Sequence, residues 1–312
     1  MPTVAQVLVV RRRAIHRLAA GLLVGGALAL PHPHARAGTD KLALTGGVTT
    51  IDGAAGGGLT PWAVIGSNAT EGEFGATATA SVVSTRNYAM KVAGIALAFD
   101  DRYELSAARQ DFDTGPTGRA LGLPGLHLKM DVLGAKLRVA GDAILDSDTW
   151  MPQVAVGVEV KRSDAGALKP TLQALGAGTQ GVDWYASATK LFLAQGVLVN
   201  ATLRATKADQ NGLLGFGGTA QDKYRLEPEF SAAWLAHRTL ALGAEYRRKP
   251  DNLDPSLLGA GLKEDDWWDV FAAWAPCKHV SLTLAYVQLG HIVPAVATKR
   301  QDGGYASAQV AF

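Results

Sequence analysis

The sequence predicts an all-β protein, an up-and-down antiparallel β-barrel that crosses a membrane. Three observations predict it. The chain opens with an export leader; the remainder alternates apolar and polar residues with no apolar run long enough for a helical span; and its connections alternate short with long.

Arg11, Arg12, Arg13 and Arg17 form a basic segment ahead of an apolar run over residues 18–30, too short to span a bilayer as a helix. Ala35-Arg36-Ala37 places small residues at both positions a signal peptidase requires, so cleavage is expected before Gly38, after export by the general secretory route. The domains expected are therefore a signal peptide over 1–37 and a barrel over 38–312. Losing five arginines and no acidic residue leaves 25 basic against 28 acidic residues, which gives no basic face for nucleic acid. Hydrophobic residues are 48% of the chain and charged residues 19%, a balance that suits a wall with one face in lipid. The lone Cys277 excludes an internal disulfide framework and any multi-cysteine metal site.

The strands are read from period two. Val154, Val156, Val158 and Val160 share one face, opposite Gln153, Ala155, Gly157, Glu159 and Lys161. Leu226, Phe230 and Trp234 oppose Arg225, Glu227, Glu229 and Ser231, and the segments around 76–82, 199–206, 240–247 and 280–286 repeat the pattern. Over 128–139 the polar residues change phase, from Lys129 and Asp131 to Lys136 and Arg138, which predicts a bulge near Gly134. Tight links are expected at Asp100-Asp101, Ala194-Gln195, His237-Arg238 and Pro276-Cys277, and long loops near 112–126, 163–182, 208–224, 250–265 and 291–303. That asymmetry is typical of outer-membrane barrels. Fourteen strands are favoured, with 42–51 and 59–67 as the first two; twelve strands around an N-terminal plug is the rival. A terminal Phe312 on an alternating strand fits recognition by the barrel insertion machinery, and lipid is the other expected partner.

Several stretches carry a family resemblance: Leu44-Thr45-Gly46-Gly47-Val48, the Gly56-Gly57-Gly58-Leu59-Thr60-Pro61-Trp62-Ala63 segment, Lys190-Leu191-Phe192-Leu193, the glycine-rich 212–218, and Tyr246-Arg247-Arg248-Lys249-Pro250-Asp251-Asn252-Leu253. In these the chain resembles a bacterial family, domain of unknown function 3034. The resemblance implies an outer-membrane protein and brings no activity, cofactor or site residue with it.

Residues able to carry chemistry are few. His127, His237, His279 and His291 show no metal-ligand spacing and read as turn or rim residues, so no metal or cofactor is expected. The glycines at 53 and 56–58 lack the lysine of a phosphate loop and read as a mobile loop or barrel corner. Ser106, Ser187, Ser231 and Ser281 could pair with His127 or His279 in a lipid hydrolase, which ranks third among the functions considered. Trp62, Trp184, Trp234, Trp268, Trp274, Tyr246 and Tyr286 fit an aromatic belt, whereas Trp267 and Tyr185 lie on the polar face. The inward-facing charges Glu104, Glu159, Lys161, Arg204, Glu227, Glu229, Glu245, Arg247 and Asp269 either line an open lumen or pair to fill a narrow one. Passive passage of small solutes is the function expected, ahead of a non-conducting structural or binding barrel that acts through its loops.

Overall fold

The computed structural model describes residues 41, 43–44, 46–144, 149–253 and 262–312, so the expected leader and its cleavage site lie outside the described residues. Two short strands, β1 (Val48–Thr49) and β2 (Ala55–Gly56), pair only with each other. Twelve longer strands follow: β3 (Phe74–Thr85), β4 (Ala89–Phe99), β5 (Tyr103–Asp113), β6 (His127–Ala140), β7 (Gln153–Asp164), β8 (Gln180–Phe192), β9 (Val197–Thr206), β10 (Arg225–His237), β11 (Leu240–Arg247), β12 (Trp267–Cys277), β13 (Val280–Gln288) and β14 (Asp302–Ala311). Each pairs antiparallel with its neighbours in the chain, and β14 returns to β3 to close the barrel. Closure leaves no strand of the wall with an unpaired edge.

The favoured count of fourteen is thus corrected to twelve. Residues 48–65 are buried without alternation, so neither 42–51 nor 59–67 offers the exposed apolar face that a wall strand needs. They fold into the lumen as a plug.

Period two is clear in the wall. In β4 every second residue is exposed, so Ile95, Leu97 and Phe99 face outward. Rings cluster toward the ends of the apolar band: Phe74 stacks on Phe99 at 4.4 Å between centroids near the short turns, and Trp268 lies 6.0 Å from Tyr286 near the long loops. Trp62 does not belong to this belt. It is buried in the plug, where its Nε1 donates to Ser231 Oγ at 3.0 Å.

At one end of the barrel the strands are joined over 100–102, 193–196, 238–239 and 278–279, and by the longer link over 141–152 between β6 and β7. Asp100 and Asp101 both adopt positive φ, 59° and 44°, the handedness that matches the twist of a tight hairpin. The last of these turns lies at Lys278-His279, because Pro276 and Cys277 still belong to β12; likewise His237 ends β10. Most connections at the other end are long, and two carry short helices, α1 (Gly115–Ala120) and α2 (Lys169–Ala174).

The bulge expected near Gly134 is absent from the β5–β6 ladder, which runs unbroken from Leu137 to His127. A register shift occurs instead between Arg138 and Ala140, against β7. The phase change has another cause. Leu128, Met130, Val132 and Lys136 all face inward, so the lumen itself turns from apolar to charged along one straight strand.

Candidate functional site

The wall strands aim a ladder of polar side chains at the plug, and these side chains satisfy its backbone. Glu104 accepts from Ala55 N at 3.0 Å and Gly66 N at 2.8 Å, while Lys136 donates to Ala55 O and Val64 O. On the opposite side Glu245 accepts from Leu59 N at 2.7 Å and Thr60 N at 3.2 Å. Thr202 Oγ1 donates to Pro61 O at 2.7 Å, and Ala63 N donates to Thr189 Oγ1 at 2.8 Å. A plug whose own ladder is only the short β1–β2 pair needs partners of this kind, since a buried, unpaired amide costs roughly 1–3 kcal/mol. The glycines at 53 and 56–58 are the buried turn of the plug, not a mobile loop or barrel corner. A Cβ on Gly57 would overlap the Glu245 carboxylate, and Gly58 sits at φ +123°.

Above this level the charges converge on one junction. Arg204 pairs with Glu159 at 2.7 Å and Glu229 at 2.6 Å, and Lys161 pairs with Asp183 at 2.9 Å. Asp52, from the plug, pairs with Arg247 at 3.0 Å and Lys161 at 3.4 Å. Asn211, from the loop between β9 and β10, accepts from Lys161 and Arg247 and donates to Asp52 at 2.7 Å. Plug, wall and loop are therefore tied at a single point. Burial pushes the Asp52 carboxyl up, but Lys161, Arg247 and Arg204, aided by Asn211, overcome it and hold it well below the usual carboxylate range.

All nine charges singled out in the sequence face the lumen and are buried. Glu159, Lys161, Arg204, Glu229 and Arg247 meet in the junction; Glu104 pairs with Lys136 at 3.2 Å, and Glu245 holds the plug. Glu227 stands apart beside Arg248 at 3.3 Å, and Asp269 lies elsewhere in the lumen. Sequence reasoning missed Asp52, Lys136 and Asp183 as partners. Asp183 shares the parity of the inward Tyr185, Ser187 and Thr189 on β8, a signal that was available. Tyr185 packs under Arg204, 5.4 Å from its ring centroid, and only a glycine at 157 leaves room for its ring. The four serines face the lumen as well: Ser187 contacts Thr202 at 2.8 Å and Ser231 donates to Glu245 at 2.9 Å. His127 is at the exposed rim with Asp111, and His279 is in a turn against Ala311 O.

Beside the junction, toward the long loops and on the side of the lumen formed by β12–β14 and β3–β6, lies a pocket of different character, with ≈ 820 Å³ of non-atom space including its open mouth. Met90, Phe112 and Leu128 form one wall, and Phe271, Val287 and Tyr305 form the facing one. Ile51, Gly58 and Leu59 of the plug make the floor, and Leu213, Leu214 and Ile292 come in from the loops. Its apolar lining is that of a small-molecule site.

Residues 45–309 match the family described as Protein of unknown function (DUF3034). The chain belongs to this family. No curated protein matches the DUF3034 sequence. Among solved structures it is similar to the KdgM porin in complex with disordered oligogalacturonate (TM-score 0.47, 8% identity, covering 76% of this chain and 99% of that one). It is also similar to the COG4313 outer membrane channel from Pseudomonas putida F1 (0.46, 13%, 78% and 96%) and to outer membrane phospholipase A from Escherichia coli (0.41, 8%, 76% and 92%). Likenesses this loose carry no substrate or activity to the DUF3034 chain.

Proposed function

We propose that this DUF3034 protein is an outer-membrane barrel that binds a small apolar solute in the lumen pocket and passes it inward when the plug moves. The observation that carries the reading is the position of the pocket: it opens among the long loops, and its floor is the plug itself. The apolar exterior with its aromatic ends supports the membrane location. Free diffusion of polar solutes is a weaker reading, because Lys161, Arg204 and Glu229 are at most 1% exposed, whereas a water-filled bore would wet them.

Protein reconstituted in lipid nanodiscs is expected to bind naphthalene saturably beyond what protein-free nanodiscs take up. Val287→Trp, which fills the pocket, should abolish that binding while the barrel still shows heat-modifiable mobility on gels. Stepwise conductance in a planar bilayer, without saturable naphthalene binding, would overturn the reading in favour of passive passage.

A further inference from the structure

The pocket is not uniformly apolar. Three atoms of residues that line it are buried without a hydrogen-bond partner among the described residues: Trp267 Nε1, Gln210 Nε2 and Asp269 Oδ1. Their residues are 4%, 2% and 6% exposed, so bulk water does not serve them. Trp267 and Asp269 are alternate inward positions on β12, while Gln210 comes from the loop folded into the mouth.

The arrangement is held from behind. Lys249 Nζ donates to Gln210 Oε1 at 2.8 Å, which fixes the amide so that its nitrogen is the free end. The same ammonium pairs with Glu264 at 2.7 Å and stands 4.4 Å from the centroid of the Trp267 ring. Both donors are thus positioned by one cation that is itself fully engaged. A buried polar atom left unpaired is costly, so a site with three such atoms is built for a group that pairs them.

We infer that the solute carries one neutral hydroxyl group, as an alcohol or phenol, on an apolar body. A hydroxyl oxygen offers two lone pairs, one for each N–H, and one hydrogen for Asp269 Oδ1. A hydrocarbon satisfies none of the three. An ammonium leaves both N–H groups without an acceptor. A carboxylate brings no hydrogen for Asp269 Oδ1, and Lys249 is already taken. The inference rests on the proposed apolar-solute reading and adds to it the polar end of the ligand.

Equilibrium dialysis of naphthalene, β-naphthol and β-naphthoate against the nanodisc-reconstituted protein separates the two levels. After correction for uptake by protein-free nanodiscs, β-naphthol should bind on the order of 10-fold more tightly than naphthalene, the effect of one to two net hydrogen bonds, and β-naphthoate most weakly. Trp267→Phe and Asp269→Leu should each bring the ratio of naphthol to naphthalene affinity close to one. Gln210→Met, which lies in a loop, serves where a strand variant fails to assemble. Equal affinity for naphthol and naphthalene in the wild type overturns the hydroxyl inference and leaves the pocket reading standing. Saturable binding of none of the three overturns the reading beneath it.

Discussion

Two regions of the lumen solve opposite problems. Toward the short turns, Glu104, Lys136 and Glu245 fill the bore with charge and hold the plug by its backbone. Toward the long loops, β7, β9 and β10 add Lys161, Arg204 and Glu229 to that charge, whereas on β4, β6 and β13 the inward parity presents Met90, Leu128 and Val287, and space is left between them. Charged groups buried together must be paired, and pairing fixes geometry; apolar groups impose no such register and tolerate a gap. The charged half therefore locks the plug, and the apolar half is where another molecule fits. Asp52, Asn211 and Arg247 form the boundary at which the state of one half is felt by the other.

The sharpest way to break this contrast is to remove a charge from the locked half. Arg204→Leu leaves buried Glu159, Glu229 and Asp183 with only Lys161 and Arg247 to balance them, and it should cost about 3–5 kcal/mol, read as a lower urea midpoint of the refolded barrel. An undiminished midpoint would mean that water reaches the junction. Next in size is Val156→Arg on the outer face, where a charge in the apolar band should cost about 2–4 kcal/mol. In a hollow barrel, arginine at Ala155 would be tolerated. Ala155 is fully buried in this lumen, so Ala155→Arg should also impair assembly, by overpacking. Ready assembly of Ala155→Arg would show that the plug leaves its place easily.

The wall was legible in the sequence because an exposed apolar face opposite a buried lumen imposes a period of two, as in β7 and β10, and because turn length differs between the two ends. The plug was not, since residues such as Val48, Thr49, Leu59 and Thr60 alternate well enough locally to pass as strands. What separates them is burial on all sides, a tertiary property. The pocket left a trace that was misread. Leu128, Met130 and Val132 put large apolar side chains on the lumen parity, and the assumption of a uniformly polar lumen turned that into a bulge at Gly134. The nine inward charges were placed on the right face by parity alone, but their pairing depends on strand neighbours and on Asp52, which no local pattern reveals.

A change in the apolar half should be milder than one in the junction. Leu128→Ala removes side chain beside a space that already exists, so a cost near the low end for such truncations, about 2 kcal/mol, is expected. The same variant should bind a bulkier solute, such as anthracene, better than the wild type does in nanodiscs. A loss as large as that of Arg204→Leu would mean that the pocket wall is a tightly packed core instead.

The smallest effect separates the halves by pH. Asp209 begins the turn that folds the β9–β10 loop into the mouth, just before Leu213 and Leu214 of the pocket. Burial, reinforced by the neighbouring Glu264 and Asp251, pushes its carboxyl well above the usual carboxylate range, against the Asn252 hydrogen bond and Lys249. The folded loop therefore holds this proton more tightly than the unfolded chain does. Stability from it is fully present below the unfolded value of about 4 and is lost as pH rises toward the elevated folded value. Asp52 is shifted the other way, so its contribution is present above that ordinary value and fails only in strong acid. Lowering the pH from about 8 to about 5 should thus tighten the loop over the pocket and leave the junction unchanged. Naphthalene, which does not titrate, should dissociate more slowly at the lower pH, and Asp209→Asn should flatten that dependence. A pH dependence that survives Asp209→Asn would assign the titration to Glu264 and Lys249, whose own shifts through burial lie in the same loop region.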